Sequence, residues 1–198
     1  MRKLMIILFM SVLVGLVGCG DADNTSSTSG ETDIENNKEN ELSDDEMSNQ
    51  GNEDLTLQVV KADEDAGITL DNSDFYQALS EIIEEDPQMG VANDLSLYPY
   101  SVIEKEEGGN AALFLVINRL GKPIENLIFD LTLGNQNDEY VYEKMEVDLP
   151  GEVIGVLDNN GVIPILLDIE EEDIDLFLTL EQDNIHLQLD NVGIDFKE

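Results

Sequence analysis

Between Leu95 and the end of the chain, apolar side chains come in short runs about ten residues apart, separated by stretches rich in Gly, Asn and Pro. Such spacing is that of strands joined by turns. Leu127, Phe129, Leu131 and Leu133 alternate with Ile128, Asp130 and Thr132, which puts one set on a core face and the other on a less buried face. Ala111 to Ile117 is apolar without a break, the pattern of a strand covered on both faces. Leu95 to Ile103 contains Pro99, which cannot donate to a central ladder, so an edge or kinked strand is expected there. In Tyr140 to Leu149, Val141, Met145, Val147 and Leu149 should point inward. Further strands are expected at Val153–Leu157 and Val162–Ile169, joined by a tight Asp158–Gly161 hairpin turn. Others are expected through Leu176, Leu178 and Leu180, through Ile185, Leu187 and Leu189 beyond a Gln182–Asn184 turn, and at Val192–Phe196. Seven or eight strands of this kind predict a mainly β fold, an immunoglobulin-like antiparallel β-sandwich.

The domain begins at Leu55, where Leu55 to Val60 suits a short strand and Asp63 to Gly67 an acidic turn. Phe75, Tyr76, Leu79, Ile82 and Ile83 then share one helical face, predicting one short helix over about 73–85, with Asn72 or Ser73 as cap and Pro87 past its end. Residues 20–54 are different in kind. Only Ala22, Ile34, Leu42 and Met47 are apolar among them, against twelve acids and one lysine. A segment with so little to bury cannot offset its ordering entropy, so 19–54 should be a disordered acidic tether. Its reach would be about 30–35 Å, more if its like charges stretch it.

Ahead of the tether, Arg2 and Lys3 precede an apolar run from Leu4 to Val17. That run is shorter than the roughly 18 to 20 residues that span a bilayer, and its charged head and small-residue exit have the form of a secretory signal over 1–18. Its last residues, Leu16-Val17-Gly18-Cys19, resemble the lipobox of bacterial lipoproteins. The resemblance implies that lipid is loaded onto the Cys19 thiol and that cleavage just before it makes Cys19 the first mature residue. Gly20 and Asp21 fit a Gram-positive owner. Cys19 is the only cysteine, so the fold rests on packing without disulfides.

Within the domain, Leu113-Phe-Leu-Val-Ile-Asn-Arg-Leu120, Pro123, Phe129-Asp-Leu-Thr-Leu-Gly134, Ile154-Gly-Val-Leu-Asp-Asn-Asn-Gly161 and Pro164 are similar to SLAP-type immunoglobulin-like modules of Gram-positive surface proteins. The likeness covers about residues 95–190 and implies a surface-associated sandwich with a structural or interactive role.

Charge narrows the partners. The chain carries a formal net charge of −36, and loss of residues 1–18 would remove two bases and no acid. A protein this acidic is repelled by nucleic acid, by anionic head groups and by anionic wall polymers, so membrane attachment falls to acyl chains on Cys19. Catalytic sites find few parts here. His186 is the only histidine, flanked by core-pointing Ile185 and Leu187, so its ring should face solvent. With no second histidine and no free cysteine, zinc sites, Cys/His pairs and a Ser-His-Asp arrangement lack their members. Six acids in eight residues, among them Asp168, Glu171, Asp173 and Asp175, offer the oxygen ligands that calcium takes, though without EF-hand spacing; a solvated acidic loop is the plainer reading. Tyr98 and Tyr100, like Tyr140 and Tyr142, lie two apart and should share a face, where Tyr98 and Tyr100 could serve a binding patch.

The expected function is a non-enzymatic binding or accessory module displayed on the outer face of the cytoplasmic membrane, engaging an envelope protein through a sheet edge or exposed aromatic face. A solute-binding lipoprotein of a transporter and a calcium-binding envelope protein are the alternatives. Cys19→Ser should abolish incorporation of labelled palmitate and leave the signal uncut, visible as a slower band on a gel; labelling that persists in the variant would remove the lipoprotein reading.

Overall fold

The structure, a computed structural model, describes residues 53–105 and 108–198. The signal segment, the lipobox with Cys19 and all but the last two residues of the expected tether lie outside the described residues. The chain runs β1 (Thr56–Leu57), α1 (Lys61–Asp65), α2 (Asp74–Glu85), β2 (Leu95–Glu104), β3 (Asn110–Asn118), β4 (Ile124–Asn135) and β5 (Tyr140–Leu149). There follow α3 (Gly151–Ile154), β6 (Gly161–Ile169), a 3-10 turn (Glu171–Asp173), α4 (Ile174–Leu178) and β7 (Ile185–Phe196). Two sheets, ordered β1-β6-β3-β2 and β5-β4-β7, form the β-sandwich that the strand spacing predicts. Among these residues no helix is long and apolar enough to cross a membrane.

Why β3 is apolar throughout is now plain. Its Ala112, Phe114 and Val116 face the second sheet, where they meet Leu127, Phe129, Leu131 and Leu133 of β4. Its Leu113, Leu115 and Ile117 face the other way, under Tyr76, Leu79 and Ile83 of α2. A strand buried on both faces must be apolar at every position. The Ser73 hydroxyl caps α2 by accepting from the Tyr76 amide. Tyr76 fixes the helix in place, since its hydroxyl donates to Asp63 Oδ2 at 2.7 Å and accepts from the Val60 amide at 3.1 Å. β2 is an edge strand with a register shift between Pro99 and Ser101, as its proline requires.

Several expectations are corrected. Val153–Leu157 is not a strand: Pro150 starts the short α3, Gly155 ends it at φ 77°, and only Leu157 pairs, in an isolated bridge with Ile124. Asp158–Gly161 therefore turns the chain without closing a hairpin, with Asn160 at φ 59°. Leu176, Leu178 and Leu180 are not a strand either. In α4 the i, i+3 pair Ile174 and Phe177 packs inward, Phe177 edge-on against Phe114 with centroids 5.8 Å apart, while Leu178 is 61% exposed. The last two expected strands are one, β7, with its register shifted between residues 190 and 193 opposite β4. Finally, β1 runs parallel to β6, so the first sheet is mixed, and the acidic turn after it holds α1.

Among the described residues one charged side chain is wholly interior. Arg119 is 1% exposed, and it donates from Nε to the Met89 carbonyl (3.1 Å) and from Nη2 to the Pro87 carbonyl (3.2 Å). Nη1 donates to the Glu53 carbonyl (2.9 Å) and to Asn160 Oδ1 (3.2 Å). Beside it the fully buried Asn118 donates to the carbonyls of Lys122, Leu157 and Asp158. Arg119→Met would orphan acceptors whose desolvation costs about 1–3 kcal/mol each. Urea denaturation should show a loss of about 3 kcal/mol or more, whereas Leu178→Ala should stay within about 0.5 kcal/mol.

Candidate functional site

The two flanks of the sandwich are unlike. On one, β5 lies over β6, and the Tyr142 hydroxyl reaches across to the carbonyls of Leu167 (3.3 Å) and Asp168 (3.1 Å). Burial, with the negative charges of Asp168 and Asp173, holds that hydroxyl protonated well above the usual tyrosine range. On the other flank β2 lies over β7. Among the described residues β2 pairs only with β3, and β7 only with β4, so each presents a free edge.

Between these edges is an apolar groove of about 520 Å³, walled by Leu95 and Leu97 from β2 and by Leu187, Leu189 and Ile194 from β7. It continues into a recess of about 340 Å³ that shares Leu97 and Leu187 and adds Tyr98, Pro99, Leu180 and Ile185. Strand alternation turns Leu187 and Leu189 toward the core, but with no further strand beyond β7 among the described residues they are half-buried. Val91 and Val192 stand at the mouth, 59% and 44% exposed. The polar members of the lining include Asp94 and Glu181, and among the described residues no Lys or Arg lines either part.

Of the two tyrosine pairs expected to share a face, the structure separates Tyr140 and Tyr142. Tyr98 pairs opposite Leu115 and lines the recess, whereas Tyr100 is the extra residue of the bulge. Both are exposed, at 41% and 45%. Partial burial, and then the nearby Glu85 carboxylate, raises the Tyr100 hydroxyl above its ordinary value. Tyr140 and Tyr142 part because the β4–β5 register shifts between Leu133 and Gly134, which lie opposite Tyr142 and Tyr140. Tyr142 turns into the core; Tyr140 stays at the surface, edge-on to the exposed ring of His186 at 6.3 Å.

The acidic stretch is not gathered into a cage. Asp168, at the end of β6, pairs with Lys105 Nζ at 2.7 Å. Glu171 and Asp173 lie in the 3-10 turn and Asp175 in α4. Acids there face the amino end of a helical segment, where negative charge is favoured. Among the described residues no group of three His, Cys, Asp or Glu side chains is placed to hold a metal ion.

Sequence reading missed the groove. Leu187, Leu189 and Leu97 read as ordinary inward residues, and nothing local shows that the strands carrying them face each other at an open flank. Comparison with protein-family models, with curated proteins and with solved structures finds no match to this chain.

Because the acids of residues 168–175 are dispersed, added salt should act on them by screening alone. The melting temperature is expected to rise equally in calcium chloride and in sodium chloride of matched ionic strength; an extra calcium-specific rise at millimolar concentration would show that these acids gather around the ion.

Proposed function

We propose that this chain is a lipid-anchored, non-enzymatic protein of the outer face of the cytoplasmic membrane, which holds another envelope protein against the β2–β7 flank of its sandwich. The observation that carries this reading is the apolar groove between two free strand edges, with Tyr98 at one end and Val91 and Val192 at its mouth. Apolar surface left open beside unpaired backbone groups is what a protein ligand covers. Membrane attachment rests on the lipobox resemblance at Cys19, and the tether expected over 19–54 would hold the domain clear of the head groups. The strong acidity supports a protein partner over nucleic acid or a lipid surface.

A photo-crosslinking residue at position 192, in the full chain expressed in its own cell envelope, should yield discrete protein adducts. The same residue at position 178, more exposed still but on α4, should not. No adduct at 192, or the same adducts at both positions, would remove the reading.

A further inference from the structure

We infer that the groove receives an extended segment that adds to the free edge of β7 as a fourth strand of its sheet, and that this segment alternates apolar residues with Lys or Arg. The inference rests on the reading of the β2–β7 flank as the binding site.

The two edges that meet at the groove are not equally available. β2 is guarded, since Pro99 removes a donor and the extra residue Tyr100 bends the strand in its middle. Proline and bulges are the usual devices that stop edge-to-edge pairing. β7 has no such guard over Ile185–Leu189, where the Ile185 amide, at the start, donates to the Glu181 carbonyl at 2.9 Å. There the register with β4 runs unbroken, from Asn135 opposite Ile185 to Leu131 opposite Leu189, and the five residues include no proline and no Asp, Glu, Lys or Arg. An exposed, regular, apolar edge of this kind is a template for another strand. Five residues span about 17 Å at the rise of a β-strand, enough to fix a short peptide in register.

Side chains of the added strand would alternate. Those turned inward would lie over Leu187, Leu189 and Leu97, which the fold leaves half-covered or at the groove wall, so they should be apolar. Those turned outward would stand beside His186, Gln188 and Asp190, with Asp94 and Glu181 in the groove lining and no Lys or Arg among the described residues that line it. A second copy of this chain is a poor occupant, because each copy brings a net charge of −36. A basic partner gains where a second copy is repelled.

The test uses the full chain in detergent and fluorescein-labelled capped heptapeptides: one alternating Lys and Val, one alternating Glu and Val, and one alternating Lys and Ser. By anisotropy the Lys/Val peptide should bind about tenfold or more tightly than either companion, as burial of a few valines allows. Amide exchange should slow over residues 185–189. Val91→Asp and Val192→Asp, both at exposed positions, should weaken binding about tenfold although they add negative charge, while Ile128→Asp, on the outer face of β4, should not weaken it.

If the Lys/Ser peptide binds equally, or if Val91→Asp and Val192→Asp bind the Lys/Val peptide more tightly, the attraction is diffuse charge and the inference is wrong. Preferential binding of the Glu/Val peptide with the same protection of β7 would overturn the basic chemistry and leave the groove as the site. Absence of any protection at β7, together with no adduct at position 192, would remove the binding site itself.

Discussion

A guanidinium with no direct carboxylate partner among the described residues, shut inside a protein of net charge −36, ties together the parts of this fold that are far apart in sequence. Isolated charge is costly to bury, and Arg119 is tolerated because the carbonyls of Glu53, Pro87 and Met89 and the amide oxygen of Asn160 converge on it. Those acceptors come from the start of the domain, from the loop that leaves α2 and from the turn before β6. Asn160 passes the connection on, donating to the Glu53 carboxylate at 2.7 Å. The position of β1 beside β6, and of α2 over the first sheet, therefore depends on one side chain at the end of β3. Asn118 does the same for the second sheet's approach, by holding the Leu157 and Asp158 carbonyls beside β4's first residue.

With β3 fixed at the centre, the layers differ in what they leave open. The first sheet is covered twice, by α2 outside and by the second sheet inside. The second sheet has one covered face and a solvated one on which Asp130 lies opposite both Glu146 and Asp190. Like charges opposite one another cost stability and discourage association through that face. The flank at β5 and β6 is stitched by the Tyr142 hydroxyl and the end near β5 is plugged by Phe177, so unsatisfied apolar surface collects at β2 and β7. Acidity and an open edge are complementary properties here: charge keeps copies apart while the edge stays free to pair.

A mainly β sandwich was legible from residues 95 to 169 because alternation is a local property. Phe129 and Leu131 are buried and Ile128 is not, as their spacing alone requires, and Pro99 marked β2 as an edge. Ser73 and the apolar face of α2 were legible for the same reason. Where the pattern fitted two periods, tertiary context chose. Ile174, Leu176, Phe177, Leu178 and Leu180 satisfy a strand or a helix, and Phe177 fills the space beside Phe114 only as a helix. A one-residue shift between Tyr140 and Tyr142 likewise parted that pair, because a bulge changes the face of the side chains beyond it.

Thus the sequence by itself determined the alternating strands, the capped helix, the extreme acidity and the expectation of a lipid on Cys19, each of which is written in neighbouring residues or in composition. The tertiary structure alone decided which strands are edges beside one another, where Arg119 finds its acceptors, and that Leu187 and Leu189 border a groove. Those facts depend on contacts between residues up to a hundred positions apart, and the pattern of apolar residues in a strand is the same whether or not another strand lies beside it.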